Sequence, residues 1–289
     1  MATKVTKQTE TIVQFLKDNK ESVTCSEAAS NFKVSKAVIN NLVSRFDLRG
    51  FLVPESGRGK IGGRCSFTRR EDMKNRNILV IGDLHEPFCL DDYLSFCQGV
   101  YKQYKCNHVI FIGDVIDNHY SSFHDADPDG LGALAELEAA ISRLSRWYKA
   151  FPTADVCVGN HDRIVARKGF AAGLSNRWLK GLSEVLDVPK WNFQDSFVYD
   201  GVEYIHGEGG PARLRCMKEG RSIVQGHRHT EGYVHIHPQR GGHVFGVQVG
   251  CGLNNKSYAA QYAKNYPSPV IGCAVVLNNG TQPVLIIKK

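Results

Sequence analysis

Seven side chains able to bind a metal stand in this 289-residue chain in one recurring setting, just past the end of a short apolar run. Residues 78–81 pass through Gly82 into Asp83, Leu84 and His85. Residues 109–112 lead into Gly113, Asp114, Val115, Ile116 and Asp117, and residues 155–158 into Gly159, Asn160, His161 and Asp162. Two further runs behave alike: 202–205 delivers His206, and 223–224 delivers Gly226, His227, Arg228 and His229. The set holds carboxylates (Asp83, Asp114), imidazoles (His85, His206, His227, His229) and an amide carbonyl (Asn160). Such mixed oxygen and nitrogen donors suit Mn, Fe, Zn, Co or Ni rather than a soft thiolate-bound metal. Seven ligands are too many for one site with open positions, but they suffice for two ions sharing a carboxylate. Two ions about 3.5–4 Å apart are the usual device for clamping a phosphate and activating water.

The elements that must position these groups follow from the same runs. A continuous apolar stretch bounded by a glycine fits a strand buried on both faces. Ligands of α/β proteins gather at the carboxyl ends of strands, so five such endings can share one rim despite about 145 residues of separation. Glycines beside the ligands let the backbone turn sharply or come close. Residues 131–149 carry Leu134, Leu137, Ile141, Leu144 and Trp147 at helical spacing and read as a scaffold helix. Residues 274–277 and 284–287 flank Asn278-Asn279-Gly280 and predict a closing hairpin. His235 and His237 alternate on a strand over 233–237. Without a carboxylate nearby in sequence they read as solvated strand residues rather than a third metal site. His119, His124, Asp125, Asp127 and Asp129 form a polar loop, either shaping a cleft or simply exposed.

Asp83-x-His85, Gly113-Asp114-x-x-Asp117, Gly159-Asn160-His161-Asp162, His206 and Gly226-His227-x-His229 together resemble the ordered motif set of the calcineurin-like metallophosphoesterase superfamily. The resemblance implies a four-layer α/β/β/α sandwich. It implies Asp83, His85, Asp114 and His229 on one divalent ion, and Asp114, Asn160, His206 and His227 on the other, with Asp114 as bridge. His161 would stand near the leaving oxygen, its ring oriented by Asp117. One departure matters: members acting on phosphoproteins continue as Asp-Arg-Gly and Asn-His-Glu, whereas here Asn118 follows Asp117 and Asp162 follows His161. That favours phosphodiesterases, nucleases and nucleotide phosphatases. Pro87-Phe88 and Asn265-Tyr266-Pro267 look like the wording of a group common in bacteriophage genomes.

The N-terminal quarter has another character. Residues 1–76 hold 15 Lys or Arg against 8 Asp or Glu, while the remainder balances 21 against 21, so the whole net charge of +7 belongs there. Ile12, Val13, Phe15 and Leu16 predict a helix over 11–19. Ser26 can cap a second through Phe32, and Ser35 a third with Val38, Ile39, Leu42, Val43 and Phe46 as its apolar stripe. Residues 49–53 read as a strand and 54–70 as a Gly- and Arg-rich wing and linker. The expectation is a small helix-turn-helix, winged-helix-like domain over 1–72 ahead of the chemistry domain at 73–289. Lys36, Asn40 and Arg45 on the last helix, with Arg58 and Lys60 in the wing, are its candidate DNA contacts. Such modules also dock proteins, and that alternative stays open.

A hydrophobic share of 42% and a charged share of 22% fit an ordinary globular protein, and no apolar run approaches the roughly 20 residues of a membrane helix. Nine scattered cysteines without a Cys-x-x-Cys pair predict reduced thiols, and with no export signal the expectation is a cytoplasmic protein, in a host's cytoplasm if phage-encoded. The function these readings predict is a two-metal phosphoester hydrolase, a phosphodiesterase or nuclease on DNA or nucleotides. The alternatives are a phosphomonoesterase on small esters and a DNA-binding regulator with a subsidiary metal domain.

Overall fold

A computed structural model describes residues 7–18, 23–35, 38–39, 42–43, 52–53, 75–123, 127–263 and 267–289. The chain divides into two compact units, Met1–Gly63 and Arg64–Lys289. In the first, α1 (Lys7–Asp18) turns Ile12, Val13 and Leu16 inward, and α2 (Cys25–Asn31) adds Ala28 and Ala29 to the same cluster. Ile39, Leu42 and Val43 complete it, and Phe15 meets Phe32 edge-on at 5.1 Å. Two-residue strands β1 (Val23–Thr24) and β2 (Leu52–Val53) pair in parallel. Val38, expected in the buried stripe, is instead 42% exposed: it lies one position before Ile39, whose direction the cluster takes up. Phe46, the wing stretch and Lys36, Asn40, Arg45, Arg58 and Lys60 lie outside the described residues.

The second unit is built on two sheets. In one, β3 (Ile78–Ile81), β4 (His108–Phe111), β5 (Ala154–Cys157) and β6 (Trp191–Gln194) run parallel. The C-terminal hairpin of β12 (Gly272–Leu277) and β13 (Gln282–Ile287) extends it antiparallel beside β3. The other comprises β7 (Ser196–Tyr199), β8 (Val202–Ile205), β9 (Ser222–Gln225), β10 (Tyr233–Gln239) and β11 (Gly242–Gln248), in the order β10-β11-β9-β8-β7.

The apolar runs are continuous because both faces are covered. Leu79, Ile81, Val109 and Phe111 pack with α3 (Tyr93–Gln103) and α4 (Ala133–Ala150) through Cys97, Leu144 and Trp147. Their neighbours Ile78, Val80, Ile110 and Ile112 pack with Phe197, Tyr204, Val224 and Phe245 of the second sheet. Successive strand residues point to opposite faces, so each run feeds two cores. Against the second sheet lies α7 (Ala212–Glu219), with Ala212 and Cys216 buried, which gives a helix/sheet/sheet/helix layering. Between β5 and β6 the chain forms α5 (Ile164–Ala171) and the short α6 (Leu182–Val185). Cys89, Cys97, Cys106, Cys157, Cys216, Cys251 and Cys273 are free and buried. Among the described residues no helix is long and apolar enough to cross a membrane.

Candidate metal centre

The carboxyl ends of β3, β4, β5, β8 and β9 bring the seven motif residues together. Asp83 Oδ2 lies 3.1 Å from His229 Nε2, which lies 3.1 Å from His85 Nε2. His206 Nε2 is 3.1 Å from Asp114 Oδ2 and 2.9 Å from Asn160 Oδ1, and His227 Nδ1 is 2.9 Å from the same amide oxygen. Asp114 Oδ2 is also 3.7 Å from His85 Nε2, so this one oxygen stands between the two groups. Asp83, His85, Asp114 and His206 are buried, whereas Asn160, His161, His227 and His229 are half-buried on the solvent side.

Proton bookkeeping tests whether cations fit. His85 Nδ1 is 2.6 Å from Asp117 Oδ1, and His206 Nδ1 is 3.1 Å from the Ile112 carbonyl; each Nδ1 therefore carries the proton and donates it. The Nε2 lone pairs are left aimed at carboxylate and amide oxygens, and Asp83 Oδ1 is buried with no hydrogen-bond partner among the described residues. Lone pairs facing lone pairs at these distances require positive charge between them, and the donors suit borderline divalent ions. Burial works to raise the Asp83 and Asp114 carboxyls, but His206 together with His229 at Asp83, and with His161 and His85 at Asp114, more than offsets it and both fall below the usual carboxylate range. Burial likewise opposes a proton on His206, yet Asp114 and Asp83 carry it up to about 10. Protons and cations compete for one set of lone pairs, so loading the site releases protons.

The backbone is bent to make this convergence. His85, Asp114 and His227 hold φ values of 52°, 46° and 68°, a left-handed region that residues with a Cβ rarely enter and that clusters at functional sites. Two glycines clear the way: a Cβ on Gly159 would overlap Asp114 Oδ1, and one on Gly226 would overlap Asp83 Oδ1. Asp162 ties two ligand loops together, accepting from the backbone N–H of Val115 at 2.9 Å and of Gly159 at 2.8 Å. Glu86, next to His85, is clamped by Arg143 Nε at 2.5 Å and Trp147 Nε1 at 3.0 Å, which anchors the first loop to α4. Asp162 belongs to a motif visible in the sequence. Glu86 carries no local signal, because its partners lie 57 and 61 residues away.

His161 stands beside these donors, grouped with His85 and Asp117 rather than with either of the two sets above: its ring meets that of His85 edge-on at 4.7 Å. Its Nδ1 lies 2.5 Å from the Asp117 backbone carbonyl and 3.7 Å from the Asp117 carboxylate. The carboxylate is nearer His85, so Asp117 orients His161 through its main chain and His85 through its side chain. Burial disfavours the His161 imidazolium, but the Asp114 and Asp117 carboxylates favour it more, and its pKa moves upward. Asn118, where an arginine would stand in phosphoprotein-directed members, donates through Nδ2 to the His161 carbonyl at 2.9 Å.

In the neighbouring loop, the His119 N–H is held by Glu136 Oε1 at 2.6 Å, and its ring Nε2 accepts from the Asp127 N–H at 3.1 Å, a structural post rather than a cleft residue. Asp129 is exposed, and its N–H donates to Asp127 Oδ1 at 3.0 Å; His124 and Asp125 lie outside the described residues. His235 and His237 stack at 6.3 Å, and no grouping of metal-binding side chains among the described residues includes them.

Residues 76–247 match the family model described as calcineurin-like phosphoesterase. No curated protein matches the chain. Among solved structures, the chain is similar to vacuolar protein sorting 29 from Cryptosporidium parvum, with 14% identity over 74% of this chain and 91% of that one and a TM-score of 0.40. It is similar to YfcE, a phosphoesterase from E. coli, with 15% identity over 72% and 98% and a TM-score of 0.34. A third is the nuclease MPE of Pseudomonas putida, with 12% identity over 72% and 86% and a TM-score of 0.32.

Proposed function

The chain belongs to the calcineurin-like phosphoesterase family, and from that premise we propose a binuclear phosphodiesterase or nuclease acting on DNA or nucleotides. It is a hydrolase of phosphoesters. The reading is carried by two donor groups that meet at Asp114 Oδ2 with the His161 imidazole alongside. Asp83, His85, Asp114 and His229 would hold one divalent ion and Asp114, Asn160, His206 and His227 the other. The two ions supply positive charge to a phosphoryl oxygen and acidify water. His161, fixed through Nδ1 by the Asp117 carbonyl, presents Nε2 to the leaving oxygen and gives it a proton. The absence of an arginine at Asn118 supports a substrate other than a phosphoprotein.

The basic N-terminal stretch supports a second part of the reading: a helix-turn-helix module over 1–72 that grips DNA through Lys36, Asn40, Arg45, Arg58 and Lys60, ahead of a phage-type phosphoesterase domain at 73–289. Binding of duplex DNA that is insensitive to salt and to the Lys36→Ala/Arg45→Ala double variant would move the module to protein docking.

The test of the hydrolase reading compares bis-p-nitrophenyl phosphate, p-nitrophenyl phosphate and DNA with Mn, Fe, Zn, Ni and Co. The diester and DNA should be cleaved; turnover of the monoester alone would remove the diesterase reading. His161→Asn should keep its metal yet lose roughly a hundredfold to ten-thousandfold on alkyl leaving groups, and far less on p-nitrophenolate, which departs without a proton.

A further inference from the structure

The segment that follows His161 does not pack as a helix of a globular protein should. From Val165 to Trp178 every residue except the half-buried Gly169 is exposed, so α5 buries little beyond Ile164 at its first position. Surface helices ordinarily sink an apolar stripe into the core. Here the large apolar side chains point to solvent: Trp178 is 83% exposed and Phe170 57%. Phe123, at 63% exposed, lies under Arg167 at 4.9 Å and Lys168 at 5.4 Å. Lys168 Nζ also donates to the Ser122 carbonyl at 3.0 Å, which joins the loop after Asp117 to the helix after His161. Both pieces thus leave directly from catalytic motifs, and the Ile164 N–H bonds the His161 carbonyl at 3.2 Å.

Charge says what could cover this surface. Residues 77–289 balance overall, but the stretch 163–180 holds Arg163, Arg167, Lys168, Arg177 and Lys180 and no Asp or Glu. Arg163 reaches Asp195 and Glu208, and Lys180 pairs with Glu184. Among the described residues Arg167, Lys168 and Arg177 form no ion pair. Unpaired cations interleaved with exposed rings are the makings of a platform for unpaired nucleotides: cations take the phosphates, and rings stack on bases that a duplex keeps stacked on one another.

We infer that Phe123, Arg167, Lys168, Phe170, Arg177 and Trp178 form a binding platform for single-stranded nucleic acid that leads the strand to the metal centre. The inference deepens the nuclease reading and rests on it, naming an unpaired strand as substrate.

Trp178 provides a local probe, because the other tryptophans, Trp147 and Trp191, are 2% and 3% exposed. Full-length protein, with metal chelated to prevent cleavage, is titrated with an unlabelled oligothymidylate of about twelve nucleotides, within the span of single-strand sites. The expected result is saturable quenching of tryptophan fluorescence, absent in Trp178→Phe and not produced by a duplex of equal length. Arg167→Glu with Lys168→Glu should weaken the quenching affinity roughly tenfold or more. Oligouridylate in a parallel titration separates a DNA strand from an RNA strand. Binding without quenching, or equal quenching by duplex, would overturn the platform, as would unchanged affinity in the charge-reversed variant. Protein copies or other proteins burying Trp178 would instead blue-shift its emission without any oligonucleotide, which also overturns it. Failure of the metal-loaded protein to hydrolyse bis-p-nitrophenyl phosphate would strike the hydrolase reading and leave this titration untouched.

Discussion

Two buried carboxylate clusters lie in the same unit, and they are wired oppositely. Around Asp155 every oxygen has a donor: His108 Nε2 at 2.8 Å and the Tyr199 hydroxyl on Oδ2, and Asn192 Nδ2 at 2.9 Å on Oδ1. These partners come from β4, β6 and β7, so the cluster stitches one sheet to the other. At the rim, Asp83 Oδ2 and Asp114 Oδ1 each accept one backbone N–H, from His227 and His161, but Asp114 Oδ2 faces Nε2 of His206, whose Nδ1 already carries a proton, and Asp83 Oδ1 has no partner among the described residues. In both clusters burial raises the carboxyls and surrounding groups more than reverse it, so acidity does not tell them apart. Donor geometry does. A carboxylate with a donor on every oxygen is complete without a ligand, whereas one with an oxygen left unpartnered or facing an imidazole lone pair calls for positive charge.

The contrast is tested most severely at Asp114. Asp114→Asn keeps the shape and can still accept the His161 N–H, held at 2.8 Å, but it removes the charge shared by both donor groups. Losing one outer partner of a metal ligand already costs about 10–100-fold, so a shared ligand should cost about a thousandfold or more in turnover, with bound metal lost. Full two-ion occupancy with normal turnover would erase the distinction drawn above.

Asp117 comes next, because its carboxylate and its carbonyl serve different rings. With Oδ1 2.6 Å from His85 Nδ1, Asp117→Asn should weaken metal binding by about 10–100-fold. The His161 contact uses the main chain and should persist. A metal titration followed by kcat at saturating metal separates the two. Normal metal affinity with depressed kcat would return Asp117 to the orientation of His161 alone.

That pair of roles marks the boundary of what the sequence carries. Short apolar runs and their endings are local, so β3 and β8 and all seven donor positions can be read directly from residue types. Both faces of those runs are covered, which is why they show no alternation. The choice Asp117 makes between His85 and His161 is set by loops 32 and 44 residues apart. Left-handed φ at His85, Asp114 and His227 is equally silent, because nothing about those residue types asks for it. The exposure of Val165 to Trp178 is likewise invisible, since an apolar residue in a helix ordinarily signals burial.

The smaller effects belong to the complete cluster. Asp155→Ala strands the Tyr199 hydroxyl, the Asn192 amide and His108 inside the protein and should cost about 3 kcal/mol of stability by urea unfolding, with two ions still bound per folded molecule. Its pH dependence is the finer test. Burial alone would raise the Asp155 carboxyl, but its bonds to His108, Tyr199 and Asn192 lower it below the ordinary 3.8. A carboxyl more acidic in the folded than the unfolded state binds fewer protons when folded, so its stabilising contribution is complete above the unfolded value. That contribution fades as pH falls through the folded value. The gap in unfolding free energy between wild type and Asp155→Ala should therefore hold constant from about pH 7 to pH 5 and narrow on further acidification. Unfolding at each pH with metal chelated keeps the rim's own proton uptake the same in both proteins. A gap that stays level into strong acid would mean that the charge of Asp155 contributes nothing and that hydrogen-bond shape alone holds the cluster. Its likeness to the rim would then end at residue type.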